Sequence, residues 1–256
     1  MVRRYLRSLV VRAPHLQDFR NQAQRTLLKA ARKPFEPEFE VLEKLDFANG
    51  ECALDIGGNR GQSIDAIRLY RTDTPIFCFE PNPELAERLE EQFSEDANIS
   101  ILAHGLSEEE DEVALYIPYY GDYMFDGLAS IDRAEARDWL SAKTLVGFDE
   151  NKLRIRELSI ALKSMDSLNL KPGFVKIDVQ GAEAAVIAGA ASTIAAYKPV
   201  FLIETGLNEE LITQMEHLGY RAFNYENKML VPRTVAKRNT IFGHPDAMRG
   251  LESVTA

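Results

Sequence analysis

From residue 51 onward the apolar positions fall into short continuous runs separated by stretches with helical spacing. Cys52-Ala53-Leu54-Asp55-Ile56, Ile76-Phe77-Cys78-Phe79, residues 99–103, Phe174-Val175-Lys176-Ile177 and Val200-Phe201-Leu202-Ile203 read as buried strands. Between them Ile64, Ile67 and Leu69, then Leu85, Leu89 and Phe93, and finally an Ala-rich stretch over 182–196 read as helices. Such alternation predicts right-handed βαβ crossovers and an α/β fold with a mostly parallel central sheet and helices on both faces. The middle is less regular: 113–119 and 154–162 read as strands and 133–140 as a helix. The tail offers a helix ending near His217-Leu218-Gly219, then strands over 221–225 and 240–242. Upstream, Pro14 suits a first helical turn, and Leu16, Phe19, Ala23 and Leu27 would share one core-covering face until Pro34 ends the pattern. A shorter helix is expected over Phe39, Leu42 and Leu45. The chain thus divides into a basic helical extension, 1–47, that packs on the core, and one α/β domain, 48–256.

Charge sharpens that division. Residues 1–33 hold nine Lys/Arg and one acid, Asp18, so 34–256 carry −18 of a chain whose net charge is −10. An acidic body argues against a broad nucleic-acid-binding face. The basic segment could instead meet an anionic membrane surface peripherally, or simply cover the core as a helix. No run approaches the roughly 20 apolar residues of a membrane span, and no apolar leader with a small-residue cleavage site opens the chain. Cys52 and Cys78 both sit in strand-like runs, which suits reduced, buried thiols and a cytoplasmic location. The four histidines show no metal-ligand spacing.

The first glycine turn, Asp55-Ile56-Gly57-Gly58-Asn59-Arg60-Gly61, is where a ligand could lie over the carboxyl ends of the strands. Its spacing departs from the G-x-G-x-x-G of dinucleotide sites. Asp55, two residues before the first glycine, would repel a pyrophosphate and attract an ammonium. S-adenosylmethionine carries an ammonium, a sulfonium and no phosphate. Glu80 closes the next strand, where an acid can accept from both ribose hydroxyls; Pro81 and Asn82 follow it. That position serves NAD equally well, and a helix-capping acid is its bland alternative. His104, after the third strand, could flank the adenine or be incidental.

The run Lys176-Ile177-Asp178-Val179-Gln180-Gly181-Ala182-Glu183, with Val186-Ile187-Ala188-Gly189-Ala190 after it, resembles the FkbM family of methyltransferases. Ser164 to Leu168 upstream, Pro199 to Glu204 downstream, and the Asp55 turn with Phe79-Glu80-Pro81-Asn82 extend the resemblance over roughly 50–245 in the expected order. The resemblance implies a Rossmann-like class I methyltransferase fold, S-adenosylmethionine as donor, and methylation of hydroxyls, often on sugars or natural products. It implies nothing about residues 1–47.

Read on its own, Asp178 ends a buried strand beside the cofactor crevice, where a carboxylate could orient an acceptor hydroxyl and take its proton. It could equally cap the following helix. Apolar Val175, Ile177 and Val179 predict a partly dry setting and a raised pKa, with Lys176 turned to the opposite face. Glu183 is a second catalytic candidate, although an acid is favourable in any first helical turn. Glu204 could join Asp178 in holding a divalent metal, which the spacing permits but does not require. Tyr116, Tyr119, Tyr120, Tyr123 and Phe125, around Gly121 and Gly127, could form an acceptor lid or an exposed hairpin. Expected, then, is an O-methyltransferase acting on a small-molecule or glycan acceptor. A catalytically silent S-adenosylmethionine-binding or scaffold module is the alternative, and an NAD-dependent oxidoreductase is disfavoured by Asp55 and the glycine spacing.

Overall fold

The computed structural model describes residues 14–48 and 50–248. Among these residues twelve strands form two sheets. The larger has eight: β1 (Cys52–Ile56), β2 (Ile76–Phe79), β3 (Ile99–Leu102), β8 (Pro172–Ile177), β9 (Val200–Glu204), β10 (Arg221–Glu226), β11 (Met229–Pro232) and β12 (Asn239–Gly243). Their order is β11-β10-β12-β9-β8-β1-β2-β3. The five-strand block from β9 to β3 is parallel. β12 enters antiparallel between β9 and β10, and β11 adds a hairpin at the edge. The fold is α/β and Rossmann-like, a mostly parallel central sheet with helices on both faces.

Period-two alternation explains why the central strands read as unbroken apolar runs: both faces are covered. One face sends Ala53, Cys78, Phe174, Leu202 and Ile241 against Ile64 and Ile67 of α2 (Gln62–Tyr70) and Leu89 of α3 (Pro83–Phe93). The other sends Leu54, Ile56, Phe79, Val175, Ile177, Phe201 and Ile203 against Val186, Ile187, Ile194, Leu211 and Met215. Those last five belong to α5 (Glu183–Ala188), α6 (Ala191–Tyr197) and α7 (Glu209–His217), while α4 (Arg133–Asp138) lies in the middle region.

The Ala-rich stretch is two helices, not one. Asp166 explains the break: its N–H donates to the Gly189 carbonyl, and its carboxylate accepts from the N–H groups of Ser192 and Thr193 at 2.9 and 2.8 Å. A Cβ on Gly189 would overlap the Ser107 carbonyl, so the chain passes there as glycine.

The irregular middle is a second sheet, ordered β4-β7-β5-β6, from β4 (Gly105–Leu106), β5 (Asp111–Tyr120), β6 (Tyr123–Met124) and β7 (Leu153–Lys163). β5 and β7 form a long antiparallel ladder from Asp111↔Leu162 to Tyr120↔Leu153.

Helix α1 (Pro14–Ala30) rests on α2, and Leu27 of the expected face takes no part. Leu27 is 69% exposed, whereas Arg25 turns inward to Asp65 at 2.6 Å and lies over the Phe93 ring. The described contact is built on an ion pair and a cation–π stack, which apolar spacing does not signal. The side chains of Leu16 and Phe19, like residues 1–13, lie outside those described. The 3₁₀ segment Pro37–Glu43 enters the main core: Phe39, Val41 and Leu42 are fully or almost fully buried. Among the described residues, no helix is long and apolar enough to cross a membrane.

Candidate functional site

From β1 the chain winds outward through β2 and β3, then returns to add β8 and β9 on the other side. Strand order therefore reverses between β1 and β8, and their carboxyl ends open a crevice where open α/β sheets bind ligands. A cleft of about 540 Å³ lies there. That is within the roughly 300–1,000 Å³ of small-molecule sites. Gly57, Gly58 and Asn59 line it from the turn after β1, Glu80, Pro81 and Asn82 from the end of β2, and Lys176 and Asp178 from β8. Glu204, Phe35, Arg60, Asp126 and Arg238 are also among its walls.

The glycines of the first turn are required by packing. Gly57 has φ +88°, and a Cβ there would overlap the Asp178 carbonyl oxygen. A Cβ on Gly58 would overlap Cys78 Sγ, and one on Gly61 would press on Phe93, Gln92 and Leu89. The turn is thus clamped between β2, β8 and α3, with the Gly57 N–H donating to the Phe79 carbonyl at 2.9 Å. Gly61 does not line the cleft.

Asp55 is fully buried beneath the lining, not on it. Its Oδ2 lies 3.8 Å from Cys78 Sγ, and its Oδ1 has no hydrogen-bond partner among the described residues. Burial pushes its pKa up to about 7 against the opposing pull of Lys176, which pairs with it in register across β1 and β8. Glu80 does reach the cleft. Its two oxygens accept from the backbone N–H groups of Asn59 and Asn82 at 2.7 and 2.9 Å, which fixes the carboxylate. Burial raises its pKa as well, to about 7. Asn82 caps α3 by accepting from the Glu84 N–H. His104 stands outside the cleft, its ring 5.4 Å from that of Phe79.

Lys176 and Asp178 overturn one expectation. They are not on opposite faces: Lys176 Nζ sits 3.0 Å from Asp178 Oδ2. Residues two apart on a strand share a face; only immediate neighbours alternate. Although burial opposes it, the adjacent ammonium, with a hydrogen bond from Gln180 at 2.9 Å, leaves the Asp178 pKa below its usual value rather than above it. Glu183 turns back on its own loop. Its carboxylate accepts from the Gly181 N–H at 3.1 Å and the Val179 N–H at 3.4 Å, and it does not line the cleft. Glu204 lines the cleft but pairs with Arg238 at 2.8 Å. Among the described residues no group of three or more acids, histidines and cysteines is arranged to hold a metal.

Of the aromatic cluster, Tyr120, Tyr123 and Phe125 pack with Leu140 and Leu145 into a small core of their own. The cleft meets instead the turn that follows, where Asp126 pairs with Arg60 at 2.5 Å. Sequence reasoning did not identify Phe35, Arg60, Asp126, Lys176 or Arg238 as site residues. Lys176 was legible, since the period-two rule alone puts it beside Asp178. Phe35 and Arg238 arrive by tertiary folding from opposite ends of the chain, with no local signal.

A model of the methyltransferase FkbM domain matches residues 55–222, most of the chain. The chain belongs to the FkbM methyltransferase family. This FkbM-family chain is similar to the 2-O-methyltransferase NoeI of Sinorhizobium fredii, with 29% identity over 162 residues, 60% of this chain and 61% of the relative. It therefore spans under two thirds of that curated relative's length. Among solved structures it is similar to methyltransferase FkbM from Methylobacillus flagellatus (15% identity, TM-score 0.48, 78% of this chain and 45% of the other). It is also similar to an S-adenosylmethionine-dependent O-methyltransferase from Thermotoga maritima (13%, TM-score 0.40, 80% and 64%). Phe35 and Arg238 fall outside the matched span.

Proposed function

We propose that this chain transfers the methyl group of S-adenosylmethionine to a hydroxyl on a sugar or natural-product-like acceptor. One observation carries the reading: a single cleft at the switch point joins a fixed acid at the end of β2, Glu80, to an ion-paired acid at the end of β8, Asp178. Family membership supports the methyl-transfer chemistry, and similarity to the 2-O-methyltransferase NoeI supports an oxygen acceptor.

The donor set fits the cofactor. Each Glu80 oxygen already accepts one backbone N–H and keeps a second lone pair for a ribose hydroxyl. Asp55 lies under the floor with a buried, unpartnered oxygen, which favours a cation above it. Each cation lining the cleft is already matched to a carboxylate, an arrangement poorly suited to a pyrophosphate. When bound, S-adenosylmethionine supplies an electrophilic methyl group on a sulfonium.

The chain supplies position and a proton sink. Lys176 keeps Asp178 ionised and Gln180 holds its Oδ1, so the carboxylate is ready to accept a hydrogen bond from an acceptor hydroxyl. It takes the hydroxyl proton as the oxygen gains its new bond. Holding that oxygen in line is the larger part of the rate, because orientation replaces a bimolecular encounter.

Calorimetry with S-adenosylmethionine, S-adenosylhomocysteine and NAD tests the cofactor, and a labelled-methyl assay over hydroxylated compounds tests the transfer. Binding of the two methionine-derived ligands and not of NAD is the expected result. Binding of NAD alone would overturn the proposal, and tight cofactor binding with no transfer to any hydroxyl would make the chain a silent binding module.

A further inference from the structure

Glu80 and Glu204 mark the two ends of the cleft, on strands separated by β1 and β8 in the sheet. At roughly 4.8 Å per strand the span from β2 to β9 is about 14 Å. If Glu80 holds ribose, the donor's reactive end points toward Asp178, and the acceptor must enter from the Glu204 side. Apart from Glu204, the residues that stand there come from outside the matched span 55–222. Phe35, 38% exposed, lines the cleft one residue before Glu36. It is held, because it packs 5.9 Å from the Phe39 ring, which itself packs 6.1 Å from Phe174 of β8. Arg238, just before β12, bridges Glu204 at 2.8 Å and Glu36 at 3.7 Å. Glu36 is buried, and its Oε2 has no hydrogen-bond partner among the described residues.

We propose that Phe35 and the Glu204–Arg238–Glu36 group form the acceptor subsite, and that they select a neutral hydroxylated ring over an anionic one. The inference rests on the proposed methyl transfer, which places the cofactor at the Glu80 end. Phe35 offers an apolar face for the C–H side of such a ring, while Glu204 and Arg238 offer acceptors and donors to its hydroxyls. Charge decides against an anion. Arg60, Lys176 and Arg238 are each ion-paired, to Asp126, Asp178 and Glu204. Glu36 adds a further carboxylate beside Arg238, so a carboxylate or phosphate on the acceptor would meet more negative charge than positive.

The test is saturation-transfer NMR on the full chain with S-adenosylhomocysteine present, using methyl α-D-glucopyranoside and the corresponding methyl uronate as probes. Calorimetry for S-adenosylhomocysteine runs in parallel on every variant. Transfer to the neutral glycoside should exceed transfer to the uronate. Phe35→Ala should weaken glycoside binding roughly five- to tenfold, the scale of one lost aromatic contact, and Phe35→Trp should restore it. Arg238→Gln should also weaken the glycoside. Cofactor affinity should change by less than about twofold in all three, since Glu80 is held by the Asn59 and Asn82 N–H groups and not by these residues. No transfer to the neutral glycoside, equal or greater transfer to the uronate, or an unaltered signal in Phe35→Ala would each overturn the subsite. Failure of the wild type to bind S-adenosylhomocysteine would instead overturn the methyltransferase reading, whatever the glycoside does.

Discussion

Lys176 reaches several carboxylates from one place on β8: Asp178 by a direct ion pair, Asp55 across the strand pair, and Glu36 from the N-terminal segment. Its consequence differs for each, and the differences are measurable. Asp178 is kept ionised, so Asp178→Asn should lower turnover on the order of 10²–10⁴-fold, as expected for loss of a general base, with cofactor affinity nearly unchanged. Full activity in that variant would rule the base out. Lys176→Met removes the cation, raises the Asp178 pKa, and should move the acid limb of the rate profile to higher pH. A merely structural lysine would lower the rate without moving that limb. Asp55 behaves oppositely, because burial outweighs the lysine and its folded pKa of about 7 stands above its unfolded value of 3.8. A raised carboxyl pKa means the folded state binds more protons than the unfolded state between those values, so its contribution to stability falls as pH rises from about 4 to about 7 and then levels. Glu80, also raised to about 7, adds to the same slope. Asp55→Asn should therefore match the ligand-free wild type only near pH 4 and exceed it at pH 8, by on the order of 4 kcal/mol. Urea melts at the two pH values read this directly, and a pH-independent difference would show that the buried acid is compensated.

At the scale of elements, the turns carry more information than the strands they join. Gly57 needs both a positive φ and the absence of a side chain, since the Asp178 carbonyl occupies the space a Cβ would take. Gly181 has a positive φ, +99°, but open space around it. Alanine at Gly181 should thus cost only the backbone strain, roughly 1–2 kcal/mol. Gly57→Ala should cost distinctly more and should weaken cofactor binding, because it pushes β1 and β8 apart at the crevice. Thermal unfolding and calorimetry on the two variants compare these costs, and equal effects would mean the Asp178 carbonyl yields easily. These positions also show what the sequence could disclose. The parallel strands were legible because burial on both faces leaves unbroken apolar runs, and the first turn was legible because its glycines and acid are contiguous. The helix break at Gly189 was not, since its cause is Asp166, more than twenty residues away, together with the Ser107 backbone. Strand β11 was missed because its edge position leaves Met229 exposed and ends in Pro232, which removes the alternation a strand pattern depends on. The proposed acceptor end was illegible for the same reason on a larger scale: Phe35 and Arg238 are about two hundred residues apart and line one cleft only once the chain is folded.

For the molecule as a whole, the question is where the N-terminal extension stops being accessory. Composition draws one boundary, with nine of the chain's basic residues before residue 34. Packing draws another. Helix α1 meets the body through Arg25 and Lys29 on Asp65 and through Phe93, contacts that are partly solvated. Partly exposed ion pairs contribute on the order of 1 kcal/mol or less. Residues 34–45 are different in kind, because Phe39, Val41, Leu42 and Leu45 lie in the same core as Ala53, Ile64 and Phe174. Burying four such side chains is worth roughly 6–12 kcal/mol in all, comparable with the whole stability of an ordinary domain. A chain beginning at residue 34 should therefore fold, bind S-adenosylhomocysteine with unchanged affinity, and lose at most a few degrees of melting temperature. A chain beginning at residue 46 should fail to fold cooperatively. Circular dichroism melts with cofactor calorimetry on both truncations make the comparison. Because Phe35 survives the first truncation, its glycoside response should survive too, which separates the acceptor wall from the basic helix that precedes it. Loss of cofactor binding in the shorter deletion would show instead that α1, through Asp65 on α2, sets the position of the first glycine turn.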